Sequence, residues 1–157
     1  MEIVLTRIDD RLIHGQITTT WLRQYKCDTI FVVDNQVAND PLLKRILKST
    51  APADIRVEAL TADRAADIII NNTGNSSKVM IITKRPAAIV RLVERGVEIK
   101  NVNVGGMQPK QGSKKISKAV SVTEDDIRDF NALLQQGIKV EIRMIPTDKE
   151  INLANLI

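Results

Sequence analysis

The stretch Arg7-Ile-Asp-Asp-Arg-Leu-Ile-His-Gly-Gln16 gathers two arginines, two aspartates, a histidine and a glutamine around one glycine. A connection that only turns a corner between a strand and a helix does not need that density of charge. His14 is the one histidine of the chain. It stands just before a predicted helix, whose first free amides and partial positive charge favour an anion. Arg11 can fold back and offer phosphate oxygens a planar fork, and Gly15 leaves the approach to the ring open. These residue types suit a histidine that becomes anionic by taking up a phosphoryl group. The plainer alternative is a ring that only caps or packs against the helix start. The uniqueness of His14 and its place in the most charged loop favour the chemical reading.

Other residues join this candidate site with two readings each. Arg7 either reaches the phosphate or pairs with Asp9 or Asp10, the ion pair being slightly favoured. Asp10 is a candidate supporting residue, as are Gly15 and Gln16. Asp34, at the end of the second predicted strand, faces the same rim and either orients the His14 ring or gates docking. Asp34-Asn35 reads equally well as a plain turn into a helix, since both types favour turns. Lys84 and Arg85 follow the fourth strand and would offer positive charge to a docking partner, with a solvated lysine as the simpler role for Lys84. Trp21 reads as core, and Gly105-Gly106 as either a close backbone approach or a tight turn.

Competing chemistries lack their residues. A metal site needs several converging ligands, and Asp9, Asp10 and one histidine are too few, so no metal and no cofactor is expected. There is no GxSxG elbow for a serine hydrolase, and neither GxGxxG nor GxxxxGK[ST] occurs. The formal charge is +4, with four lysines between Lys110 and Lys118. One Trp, one Tyr and two Phe supply little base stacking, so a nucleic-acid partner is not expected. Cys27 is the single cysteine and cannot form an internal bridge. No leader and no apolar run of membrane-spanning length is found, which points to the cytoplasm.

The elements that must hold these residues alternate strand and helix. Strands are predicted at Ile3–Ile8, Thr29–Val33, Ile55–Leu60, Val79–Thr83, Val102–Val104 and Lys139–Ile145, with Val120–Val122 as a further candidate. Helices are predicted at Gly15–Gln24, from Pro41, from Thr61 through Ile69, from Pro86 to the cap at Gly96, and from Thr123 to Gly137. Thr123 with Asp126 forms a capping-box signal. Hydrophobic residues are 43% of the 157 but aromatics only 3%, so Ile, Val, Leu and Ala must fill the core. That composition suits strands covered on both faces. The expectation is one α/β domain over residues 1–157, doubly wound, with a mainly parallel sheet and helices on both faces. In such a sheet, ligands meet the loops at the carboxyl ends of the strands.

The segment IVLTRIDDRLIHGQITTTW closely resembles the active-site stretch of the IIB subunits of bacterial sugar phosphotransferase systems of the mannose, fructose and sorbose type. The likeness continues through VVDNQVANDP, ITKRP, NVGGM and AVSVTEDDIRDFNALLQQGIKVEIRMIP. It implies that His14 receives a phosphoryl group from a IIA protein and that Arg11 steadies it. The group would then pass to a hexose or amino-hexose imported by the IIC and IID membrane subunits. The resemblance also implies Nδ1 as the phosphorylated nitrogen and a cytoplasmic chain that associates peripherally with the transporter. The alternative is a regulatory module of the same fold that binds an anion or a partner without catalysis. Which sugar is carried does not follow from these residues.

Overall fold

The computed structural model describes residues 1–157, apart from the side chains of Gln16 and Ile17, so the Gln16 expectation lies outside the described residues. Strands β1 (Glu2–Asp9), β2 (Thr29–Val33), β3 (Arg56–Leu60), β4 (Lys78–Thr83), β5 (Asn101–Gly106) and β8 (Lys139–Ile142) pair in parallel. With β9 (Ile151–Asn152) they make a seven-stranded sheet in the order β3-β2-β4-β1-β5-β8-β9. Only β9 runs antiparallel there, along the free side of β8. A separate two-stranded ribbon joins β6 (Lys114–Ser117) to β7 (Val120–Val122).

Two apolar layers flank the sheet, and the alternation of side chains along each strand feeds both. Phe31 and Val33 of β2 and Val79 and Ile81 of β4 face α4 (Ala62–Asn71), α5 (Pro86–Glu94) and α6 (Glu124–Gln135). Ile30, Val32, Met80 and Ile82 face the opposite layer, where Trp21 of α1 (Gly15–Gln24), Val37 of α2 (Asn35–Ala38) and Leu47 of α3 (Pro41–Thr50) pack. Each fully buried aliphatic side chain contributes roughly 1.5–3 kcal/mol. Trp21 is wholly buried, as core. Among the described residues, no helix is long and apolar enough to cross a membrane.

The local signals for helices hold in detail. The Thr61 hydroxyl accepts from the Arg64 amide. Thr123 and Asp126 make both bonds of the capping box. Gly96 and Gly137 close α5 and α6 with positive φ. Other features go beyond those signals. The short helix α2 starts directly at Asn35, because the Asp34 carboxylate caps it by accepting from Val37 N at 2.8 Å. Val120–Val122 is a strand as expected; it pairs antiparallel with β6 and meets the residue after β5 through an isolated bridge between Val120 and Met107. The last parallel strand stops at Ile142 instead of Ile145. There the carbonyls of Arg143 and Met144 turn inward to accept from Arg7, Asn103 and Trp21, and leave the ladder.

Candidate functional site

β1 ends at Asp9, and the chain then turns sharply, with Leu12 N donating to Asp9 O at 2.9 Å. Leu12 takes a left-handed φ of 61°, a conformation that costs a non-glycine residue on the order of 1–3 kcal/mol. Its buried side chain anchors in the α1-side core, which holds the turn in place. Gly15 follows with φ 42°, the second bend needed to enter α1.

His14 is the residue before α1, but its side chain makes no capping bond. The ring is turned instead toward Asp9, with Nε2 at 3.1 Å from Oδ2, and about a quarter of the side chain is exposed. Thr18, inside the helix, reaches back and accepts from His14 N at 2.9 Å. An ionised carboxylate can only accept, so Nε2 is the donor in this contact, and in the neutral ring Nδ1 is then the nitrogen with the lone pair.

Asp9 is the hub of the site. Its side chain is fully buried. Oδ1 accepts from the Arg11 backbone at 3.1 Å and from Arg11 Nε at 2.9 Å. Oδ2 accepts from Arg11 Nη2 and Arg7 Nη2, both at 2.9 Å, besides His14. Burial pushes the Asp9 carboxyl up, but the hydrogen bonds from Arg11 and the charge of Arg7 outweigh it and hold it below the ordinary carboxylate range. The same bond to Asp9 outweighs partial burial at Arg11 and raises its guanidinium pKa further. Arg7 goes the other way, because desolvation lowers it more than Asp9 raises it.

The two glycines at the end of β5 make room for these cations. A Cβ on Gly105 would overlap the Arg7 guanidinium, and one on Gly106 would stand 3.2 Å from Arg11 Nη2. Neither glycine forms a tight turn: they are strand residues whose missing side chains admit two arginines. Arg7 is 3% exposed. Of its two expected roles it therefore takes the ion pair, and it does not reach the rim. It also stacks on Trp21, 4.9 Å from the ring centroid.

The remaining expected residues are distributed around this centre. Asp10 accepts from Gln108 N at 2.6 Å and lies 3.6 Å from Arg85. Its other oxygen is buried without a hydrogen-bond partner among the described residues. Asp34 caps α2 and lies 3.7 Å from Lys84, while the ring of His14 is oriented by Asp9. Asp34-Asn35 does make the turn into a helix. Arg85 is committed to Asp126 at 3.0 Å and to the Gln108 carbonyl at 3.1 Å. A cleft of about 730 Å³ beside the loop is lined by Asp10, Arg11, Asp34, Asn35, Lys84 and Arg85, among others. Lys110, from the loop before the β6–β7 ribbon, also reaches it. Among the described residues no group of His, Cys, Asp or Glu side chains is placed to hold a metal.

Asp9 is the candidate site residue whose central place the sequence did not reveal: it was expected only as an ion-pair partner of Arg7. Its signal was its place as the last residue of the first strand, within reach of every cation in the loop.

A histidine, two arginines and one buried carboxylate meet at the carboxyl end of the first strand of this sheet, where the surplus positive charge suits an anion. The family model described as PTS system sorbose subfamily IIB component matches residues 3–157. The chain is 41% identical to the PTS system fructose-specific EIIB component of Bacillus subtilis, over 94% of this chain and 91% of that protein. It is 39% identical to the mannose-specific EIIAB component of Escherichia coli K12, where all of this chain matches 49% of the longer protein. The crystal structure of the IIBSor domain of the Klebsiella pneumoniae sorbose permease superposes with a TM-score of 0.95 at 33% identity, covering 99% of this chain and 95% of that one. The chain belongs to the sorbose-subfamily IIB components of the sugar phosphotransferase system.

Proposed function

We propose that residues 1–157 act as one phosphocarrier unit in which His14 accepts a phosphoryl group from a phosphorylated IIA protein and donates it to a sugar. The observation that carries this reading is the bond from His14 Nε2 to the buried Asp9 carboxylate. It fixes the tautomer, leaves the Nδ1 lone pair as nucleophile, and keeps the carboxylate on the far side of the ring from the incoming anion.

In the first transfer a bond forms between Nδ1 and phosphorus as the donor's nitrogen–phosphorus bond breaks, and the donor ring leaves with that electron pair. The phosphoryl group in flight carries its charge on its equatorial oxygens, so catalysis is positioning and electrostatics. Arg7 and Arg11 flank one Asp9, so the trio holds a surplus positive charge beside the ring. Arg11 is the exposed member and the one that touches the phosphate; the amino end of α1 adds its partial positive charge. In the second transfer a sugar hydroxyl attacks the same phosphorus and gives up its proton to solvent, while the Nδ1–phosphorus bond breaks and its electron pair returns to Nδ1 of His14.

Arg7 supports this site from below through Asp9, Asp10 braces the loop through Gln108, and Gly15 and Gln16 lead from the ring into α1. Asn35, Lys84 and Arg85 line the cleft where IIA docks, with Asp34 fixing α2 at its edge. The acceptor is a hexose or amino-hexose taken up through IIC and IID membrane subunits, and the chain works at the cytoplasmic face. In enzyme terms this is a protein-phosphohistidine–sugar phosphotransferase.

The test is incubation with phosphorylated IIA, followed by mass spectrometry before and after acid. The native chain gains one acid-labile phosphate on His14, and His14→Ala folds but gains none. An acid-labile phosphate on the His14→Ala variant would move the chemistry to another residue.

A further inference from the structure

Asn103 is the anomaly of β5. Val102 and Val104 beside it are fully buried in apolar surroundings, and Asn103 itself is 2% exposed on the opposite face. A strand covered on both faces favours an aliphatic residue there, and a buried amide is tolerated only when its hydrogen bonds are met. They are met by its lateral neighbours. The register sets Arg7 of β1, Asn103 of β5 and Glu141 of β8 side by side, and all three are buried. Asn103 Oδ1 accepts from Arg7 Nη1. Its Nδ2 donates to Glu141 Oε1 at 3.0 Å and to the Arg143 carbonyl at 3.2 Å. Arg143 closes the row with a two-pronged bond to Glu141, Nε to Oε2 and Nη2 to Oε1, each at 3.0 Å.

We infer that Asn103, seated between Arg7 and Glu141, is a positioning residue for His14. This rests on the phosphoryl-acceptor reading of His14 and extends it by three strands. An arginine only donates and a carboxylate only accepts, so the amide has one allowed orientation, oxygen toward Arg7 and nitrogen toward Glu141. As a neutral spacer it occupies Arg7 Nη1 and keeps the guanidinium from collapsing onto the Glu141 carboxylate. Arg7 Nη2 is then left for Asp9 and the Met144 carbonyl. Asp9, so fixed, holds His14 Nε2. Well-packed apolar residues often replace buried charge pairs at no loss of stability, so stability alone does not call for a polar row here. A histidine that must present one nitrogen does.

The test uses Asn103→Leu, similar in size but without bonds, and the milder Glu141→Gln. Two readouts are taken: ring ¹⁵N shifts, which report the His14 tautomer without any partner, and rapid-quench phosphate uptake from phosphorylated IIA. In the native chain the Nε2–H tautomer dominates. Asn103→Leu populates the Nδ1–H form and slows uptake roughly ten- to a hundredfold, the scale on which outer partners tune a functional histidine, with IIA affinity unchanged. Glu141→Gln moves both readouts the same way by less, and decides alone if Asn103→Leu does not fold. Folded variants with the native tautomer and native rate would overturn the inference. A native chain that takes no phosphate would instead sink the acceptor reading, while the tautomer measurement still reports on Asn103.

Discussion

His14 Nε2 and Asp9 Oδ2 lie 3.1 Å apart across a turn whose central Leu12 is left-handed. The bond joins the partly exposed ring to a carboxylate with no exposure of its own. The aspartate in turn sits between two guanidinium groups, so the ring is tied to the interior of the sheet and not to the surface loop alone.

Asp9 makes the site pH-dependent in a defined direction. Its carboxyl lies below the ordinary range in the folded chain, so folding favours the ionised form. The resulting stability is fully present above the unfolded value of about 4 and is lost as pH falls through the lowered native value. Urea melts of the native chain and Asp9→Asn should therefore differ most above about pH 4 and converge in more acid solution. A gap between the two proteins that stays constant from neutral to strongly acid pH would dismiss Asp9 as the source.

Arg11→Lys retains charge but loses the fork that grips both Asp9 oxygens through Nε and Nη2, and lysine cannot reproduce that planar geometry. Phosphoryl uptake should slow roughly ten- to a thousandfold, the scale of losing one transition-state donor. Rapid-quench kinetics indistinguishable from native would remove Arg11 from the mechanism.

Gly105→Ala and Gly106→Ala separate structural from surface room. At Gly105 the new methyl overlaps a buried guanidinium bonded on several sides, so the variant should melt lower, by about 1–3 kcal/mol of overpacking or more. At Gly106 the neighbour is the end of the half-exposed Arg11, which can swing away. That variant should keep native stability yet transfer slowly. Equal melting temperatures for the two alanines would contradict this account.

Docking of IIA should centre on His14, Arg11, Asp34–Val37 and Lys84, with Arg7 contributing nothing directly because it is buried. Exposed cations at that rim should speed encounter with an acidic surface, and the rate should drop as salt rises. An NMR titration with IIA checks this. Amide shifts confined to Lys110–Lys118, with the His14 loop silent, would place the interface elsewhere.

Much of this was written in local sequence. Capping residues, prolines at helix starts and β-branched runs mark the helices and parallel strands within a few residues, because those signals act between neighbours in the chain. The charged loop likewise marked His14 and Arg11 as candidates, since a dense set of charges is visible without knowing its geometry. What tertiary structure alone decided was who faces whom. Asp9, not Asp34, meets the ring, because the Leu12 turn folds His14 back over the end of β1 while Asp34 is engaged by α2. Arg7 is interior rather than on the rim, because Gly105 on a strand distant in sequence leaves the space for it. The last parallel strand ends early because its carbonyls are needed by Arg7, Asn103 and Trp21. The first depends on a left-handed turn at a residue type that does not advertise one; the other two depend on residues brought together by parallel crossovers, whose register no local pattern encodes.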